Sequence, residues 1–288
     1  MSEPTASPTA PPAPADGPRV RLALFQGRAE PLDLAANLAI LDEAAREARA
    51  AGAELLLTPE LFATGYAPEL IRESVSAEAA ADLDRDLAGI AARRDIALVY
   101  SVPGPGSEDD RAITSALVDR TGRVLARYAK SHLFGAEERA NFRPGSAPPP
   151  VVEFLGLKVA LIICYDVEFP EVVRDAALHG ATLVLVPTAL TTGFENVARV
   201  LVPARALENS VTLAYANHVG AEAGLDLAGA SVIVGPDGSI LTDAARTTGL
   251  SYATVTAPIS EVDYLADRRP ELYRSWSEAT PDRLGQPD

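Results

Sequence analysis

The sequence predicts an α/β protein built as a four-layer sandwich, helix–sheet–sheet–helix. Three observations carry this. Short apolar strands alternate with helices; the strands also come in adjacent pairs, which favours mixed sheets over a pure βαβ barrel; and the pattern runs twice along the chain. The first half opens with Val20–Phe25, whose alternation predicts a strand with one buried face. A helix follows, with Asp33 as N-cap, Leu34, Leu38, Leu41, Ala45 and Ala48 at helical spacing, and Gly52 as the stop. Glu54–Thr58 is a fully apolar strand after its first residue, ending at Pro59-Glu60. A helix over Ala77–Arg93 precedes strands at Ile96–Val102, Ile113–Asp119 and Val124–Tyr128. The second half begins after the Pro-rich loop 144–150, with a strand at Leu157–Ile163, a helix at Pro170–His179 and a strand at Thr182–Val186. A single helix is predicted over Phe194–Asn209, then strands at Val211–Ala216, Ser231–Val234 and Ser239–Leu241, the last entered through the turn Pro236-Asp237-Gly238.

The chain is 288 residues long, enough to bury a sizeable core. Six of its 23 prolines lie in residues 1–18, where no periodic apolar residues occur, so this segment is expected to be a disordered tail. It lacks the basic start and apolar stretch of a secretory signal, and the expected location is the cytoplasm. Residues 19–270 form the expected domain and 271–288 a C-terminal tail placed to pack on a partner subunit. No uninterrupted apolar run is long enough to span a membrane. With 25 basic and 40 acidic side chains the formal net charge is −15, which disfavours binding to a nucleic-acid backbone. One cysteine, Cys164, rules out an intramolecular disulfide, and the separation of His132, His179 and His218 argues against a zinc cluster.

Polar residues at the ends of apolar strands are the usual place for a site in an α/β fold. Glu60, Lys130 and Cys164 each follow such a strand. Taken singly, each has a plainer role as a helix cap, a solvated cation or a small buried hydrophobe. Together they form a chemical set. A cysteine nucleophile needs a base, because a thiol of ordinary pKa is mostly protonated at neutral pH, and Glu60 can be that base. The oxygen of an attacked carbonyl or nitrile gains negative charge, which Lys130 and the backbone N–H of Tyr165 can stabilise.

The residues around these three positions resemble the motifs of the nitrilase superfamily of carbon–nitrogen hydrolases. Leu57-Thr58-Pro59-Glu60-Leu61-Phe62 resembles the first motif, Tyr128-Ala129-Lys130-Ser131-His132-Leu133-Phe134-Gly135 the second, and Ile163-Cys164-Tyr165-Asp166-Val167-Glu168-Phe169-Pro170-Glu171 the third. They occur in family order, and the match runs from about Val20 to Pro270. The resemblance implies a Glu–Lys–Cys triad, an αββα fold of the nitrilase type, no cofactor, and homodimers that pair into an eight-layer sandwich. It also implies a second carboxylate beside the lysine, which falls on Glu138 rather than Glu137, with a purely structural role as the alternative.

Relatives acting on nitriles often carry Cys-Trp-Glu at the nucleophile. Cys164-Tyr165-Asp166 implies an amide substrate instead. Branches acting on dicarboxylate monoamides commonly carry an arginine where this chain has Glu168, and the sequence is most similar to stereoselective amidases and 5-aminopentanamidase-like enzymes. The expected reaction is hydrolysis of a small aliphatic primary amide to an acid and ammonia. A nitrilase, an N-carbamoyl amine hydrolase and a catalytically silent binding protein are the alternatives. Tyr66, Phe134, Thr188, Ala189 and Glu168 are candidate substrate-binding residues, with a salt bridge to Arg174 or another arginine as the alternative for Glu168. His132 is expected to orient its neighbours, and Asp166, Glu171 and Arg174 to order the turn around Cys164.

Overall fold

The computed structural model describes residues 17–107, 109–257 and 262–279. The expected N-terminal tail falls, for residues 1–16, outside the described residues, as do residues 280–288 of the expected C-terminal tail. The first half contains β1 (Arg19–Gln26), α1 (Leu34–Ala50), β2 (Leu55–Leu57), α2 (Pro68–Ser74), α3 (Ala77–Arg94), β3 (Ala97–Pro103), β4 (Ile113–Val118), β5 (Val124–Ala129) and α4 (Gly135–Asn141). The second contains β6 (Val151–Phe154), β7 (Leu157–Leu161), α5 (Pro170–Leu178), β8 (Leu183–Pro187), α6 (Val202–Asn209) and β9 (Thr212–Ala216). The chain continues through β10 (Val219–Glu222), β11 (Leu225–Ala228), β12 (Val232–Val234), β13 (Ile240–Asp243), β14 (Gly249–Thr256) and α7 (Pro270–Ala279).

Two six-stranded sheets result, ordered β14-β1-β2-β3-β4-β5 and β13-β12-β9-β8-β7-β6, with β10 and β11 pairing as a separate hairpin. Both are mixed, as expected: β1-β2-β3 and β7-β8-β9 are parallel and their flanking strands antiparallel. β14 returns to pair with β1 along its whole length, from Arg19 opposite Thr256 to Gln26 opposite Gly249.

The layers follow from which faces are apolar. Ala23, Phe25, Leu56, Leu98 and Tyr100 point from the first sheet to α1 and α3, where Leu41, Ala45, Leu83, Leu87 and Ile90 meet them. Leu22, Leu24, Leu55, Leu57 and Val99 belong to a second core, shared with Leu161, Val184 and Leu213 of the other sheet, that continues to Val173, Ala176, Val202 and Ala206 of α5 and α6. β1 is therefore buried on both faces from Leu22 onward, not on the one face that alternation predicted, because a helix layer and a second sheet cover it on opposite sides. The helices start where their caps allow: Asp33 accepts from the Ala36 N–H, Ser76 from the Ala79 N–H. The helix predicted over 194–209 is interrupted. Val197–Leu201 forms a π-turn before α6. Pro203 lacks an N–H and would break a continuous ladder, so the irregular turn absorbs it.

The parallel strands of both sheets end on the same side of the sandwich. The Glu60 N–H donates to the Thr188 carbonyl at 3.2 Å, joining the segment after β2 to the end of β8.

Candidate active site

Cys164 opens a 3-10 turn, Cys164–Glu168, three residues beyond the end of β7. Its φ is +47°, a left-handed conformation that costs a residue with a side chain of order 1–3 kcal/mol. The surroundings hold it there. Asp166 accepts from the Ile163 N–H (3.2 Å) with Oδ2, and from the His132 N–H (2.9 Å) with Oδ1, which also lies 2.8 Å from His132 Nδ1. The His132 ring stacks on Phe169 with centroids 3.9 Å apart. From the other end, Arg205 donates to the carbonyls of Val167 (3.1 Å) and Glu168 (2.9 Å).

Lys130 follows β5 and is wholly buried, as is Glu60. Its Nζ donates to Glu60 Oε1 at 2.8 Å and to Glu138 Oε1 at 2.7 Å. Glu138, on α4, also accepts the Tyr66 hydroxyl (2.6 Å) on Oε1 and the Phe134 N–H (2.8 Å) on Oε2. Burial opposes the charge on Lys130, but Glu60, Cys164 and Glu138 together outweigh it and hold the ammonium protonated. Burial, reinforced by the Glu138 charge, pushes the Glu60 carboxyl up to about 7 despite Lys130. Burial and the Glu60 charge push the Cys164 thiol well above its ordinary range, against the pull of Lys130 and the Ala189 N–H. The resting sulfur is thus a thiol that needs a base. Glu60 Oε2 has no hydrogen-bond partner among the described residues. The Cys164 thiol acts on the Glu60 carboxyl as a hydrogen-bond donor and favours its ionised form, so the two groups face each other.

The remaining candidates divide between frame and mouth. Thr188 is wholly buried and its hydroxyl donates to the Tyr215 hydroxyl at 2.9 Å. The next residue, Ala189, brings its N–H to the Cys164 sulfur. Tyr66 is buried behind Glu138. Phe134 is exposed and meets Tyr165 (5.2 Å) and Phe194 (6.0 Å) edge to face, which places a small aromatic group beside the turn that carries Cys164. The Tyr165 N–H lies in the first turn of the 3-10 segment, where backbone donors lack an acceptor within the helix. Glu168 is half-buried, and burial raises its carboxyl in spite of Arg205 and Lys130. Arg174 donates to the Glu208 carbonyl (2.7 Å), and Arg205 pairs with the Glu208 carboxylate (3.1 Å), so neither forms a salt bridge with Glu168. Among the described residues no cluster of three or more His, Cys, Asp or Glu is arranged to hold a metal.

The family model for carbon–nitrogen hydrolases matches residues 21–264. The chain belongs to this family. It is a hydrolase of carbon–nitrogen bonds, within the nitrilase superfamily. It is similar to a solved amidase of that superfamily from Nesterenkonia AN1, at 51% identity and a TM-score of 0.86, covering 91% of this chain and 98% of the other. Another structure of that amidase, 50% identical over 93% of this chain and all of its own with the same TM-score, carries the acetamide moiety of fluoroacetamide added covalently at the active-site cysteine. An (R)-stereoselective amidase from Pseudomonas sp. is 31% identical over 75% of this chain and 80% of its own.

In this hydrolase the structure brings Glu60, Lys130, Glu138 and Cys164 together, with Ala189 at the sulfur and Tyr165, Phe134 and Glu168 on the adjoining turn and rim. Tyr66 and Thr188 are buried beside these residues, each with its hydroxyl committed to a protein partner. Sequence reasoning assigned no site role to Phe194, His218 or Glu222, and met Asn217 only as part of the branch-matching segment Tyr215-Ala216-Asn217. Asn217 accepts from the Leu190 N–H (2.7 Å) and donates to the carbonyls of Leu190 (3.1 Å) and Gly229 (2.6 Å), clamping the loop that carries Ala189. Both Asn217 and His218 follow an apolar strand, β9, so the strand-end reasoning that picks out Cys164 applies to them equally.

Proposed function

We propose that this hydrolase is an amidase that converts a small aliphatic primary amide to a carboxylic acid and ammonia through a cysteine thioester. The observation that carries the reading is the buried constellation in which Lys130 lies between Glu60 and Glu138, with Cys164 beside Glu60. The amide names of the Pseudomonas and Nesterenkonia relatives support it.

Glu60 accepts the thiol proton as sulfur attacks the amide carbon, and a C–S bond forms while the carbonyl electron pair moves onto oxygen. The Lys130 ammonium and the Tyr165 N–H receive that oxyanion. Collapse of the adduct breaks the C–N bond, and Glu60 returns its proton to the departing ammonia. Water then attacks the thioester with Glu60 again as base, the C–S bond breaks, and the acid leaves with the thiol restored. Glu138 holds Lys130 in place and keeps it charged. Phe134 and Tyr165 border the acyl site, and Glu168 favours neutral or amine-bearing amides over anionic ones. We further propose a homodimer, for which exposed Leu178 and Leu207 on α5 and α6 offer apolar surface, a domain spanning 19–270, and a cytoplasmic location.

The test is ammonia release from matched amides, nitriles and N-carbamoyl amines. Primary amides are expected to be the best substrates, with Cys164 trapped as a thioester in single-turnover mass spectrometry. Faster turnover of the matched nitrile, or no acyl adduct on Cys164, would overturn the reading.

A further inference from the structure

His218 is wholly buried at the end of β9, and both of its ring nitrogens face acceptors. Nε2 lies 2.7 Å from the Glu60 carbonyl oxygen and Nδ1 lies 3.0 Å from Glu222 Oε2. A neutral imidazole carries one N–H and would leave one of these short contacts between two lone pairs; an imidazolium donates to both. Glu222 is itself buried and fixed, its Oε1 accepting the Tyr66 N–H (2.5 Å) and its Oε2 the Ala29 N–H (3.1 Å). Burial works against a charged His218, and the Glu222 carboxylate more than compensates, raising the imidazole above its ordinary range.

The backbone shows what this pair holds. Leu61 has φ +54°, left-handed for a residue with a side chain, so the Glu60–Leu61 peptide sits in an orientation the chain does not favour by itself. The His218 hydrogen bond secures the carbonyl of that peptide, while the Glu60 N–H is secured by Thr188. Phe62 stacks on the His218 ring, with centroids 5.2 Å apart and planes at 26°. Glu222 also anchors the backbone of Tyr66, whose hydroxyl reaches Glu138. One buried ion pair thus ties down both ends of the segment that supplies Glu60 and braces Glu138.

We infer that His218 is a positioning residue: an imidazolium, held charged by Glu222, that fixes the Glu60–Leu61 peptide and places a positive charge behind the catalytic base. This rests on the reading of Glu60 as base. The charged and titratable groups around Glu60 are Lys130, Glu138, the Cys164 thiol and His218, and His218 faces Glu222 and Glu60. His218→Gln removes the cation and leaves Glu222 uncompensated, so the Glu60 carboxyl titrates at higher pH. The acid limb of kcat/KM is expected to move up by on the order of one pH unit. kcat is expected to fall about 10-fold with KM changed less, because the base is misaimed rather than removed. A purely structural role would lower thermal stability and leave the limb in place.

The direct measurement needs no variant. Nitrogen-15 NMR of histidine-labelled wild type at pH 8 should show one ring with both nitrogens protonated, assigned to His218 by elimination using His132→Gln and His179→Gln. A neutral His218 tautomer at that pH, or a folded His218→Gln enzyme with an unmoved acid limb, overturns the inference. Failure of the base assignment has a different signature: Glu60→Gln would keep its acylation burst while the His218 resonances stayed those of an imidazolium.

Discussion

Replacing Glu138 with Gln removes one of two carboxylates that share the Lys130 ammonium while nearly preserving shape. The oxygens of Glu60 and Glu138 that accept from Nζ, at 2.8 and 2.7 Å, lie within about 5.5 Å of each other. Two like charges at that separation repel by about 3 kcal/mol at an effective dielectric of about 20, or roughly two pKa units. The Glu138 charge is one of the causes that push the Glu60 carboxyl up to about 7. Glu138→Gln should therefore lower the Glu60 carboxyl from about 7, with burial still holding it above the ordinary carboxylate range. Because the base must be ionised to take the thiol proton, kcat/KM in wild type should rise with pH through about 7 and level off above it. In the variant that limb should move to lower pH. The rate of Cys164 alkylation by iodoacetamide against pH supplies a second profile free of any substrate-binding effect. The amide must also present its NH₂ to one of the three donors that Glu138 now satisfies, Lys130, Tyr66 and the Phe134 N–H, costing about 1–3 kcal/mol of stability. A lower melting temperature with an unmoved or upward-shifted limb would refute the electrostatic reasoning and leave Glu138 a packing residue.

Cys164→Ala should keep the fold and retain less than about 1% of turnover, measured as ammonia release. Lys130→Met should lower kcat by about 10²–10³ and destabilise the fold by about 3–5 kcal/mol, since two buried carboxylates lose their cation; activity near wild type would exclude the oxyanion role. Glu60→Gln should gain stability at pH 8. A carboxyl whose folded pKa is raised, here to about 7, contributes stability that is present below its unfolded pKa and lost as pH climbs through the folded value. The gain, at most about 3 kcal/mol at pH 8, should vanish toward pH 4 in thermal melts. Glu168→Arg should reverse the preference between 5-aminopentanamide and succinamate in kcat/KM; a wild-type preference for succinamate would sink the charge argument.

The long apolar segments were legible because their burial demands a particular period. Leu55–Leu57 and the stripes of α1 and α3 stand where the pattern puts them. Segments whose conformation depends on distant contacts were not. α2 and α4 are seven residues each, too short for a 3.6-residue period to declare itself, yet α4 carries Glu138. β14 is mostly half-exposed and pairs with a strand more than 200 residues away, so neither composition nor local spacing announces it. The same division holds in the site. Glu60, Lys130 and Cys164 announce themselves through local motifs, whereas the pairing of Arg174 and Arg205 with the Glu208 carboxylate, in place of a salt bridge to the Glu168 carboxylate, is visible only after α5 and α6 have packed.

This division has a physical reason that bears on how the site works. Each of these groups sits in a state its own sequence does not favour: Cys164 and the residue after Glu60 are left-handed, and Glu60, Glu138 and Lys130 are ionisable groups buried away from water. Local sequence can nominate such groups, but it cannot hold them. The holding is done by partners remote in the chain: His132 for the turn after Cys164, His218 for the Glu60 carbonyl, Thr188 for the Glu60 N–H, and Asn217 for the loop at the sulfur. Three of these four lie on the second sheet's side of the sandwich or just after its strands, while Glu60 and Lys130 come from the first. The placement of Glu60 is therefore a property of the sheet-to-sheet packing, and, with Glu60 as the proposed base, small changes between the sheets should reach kcat before they reach the fold.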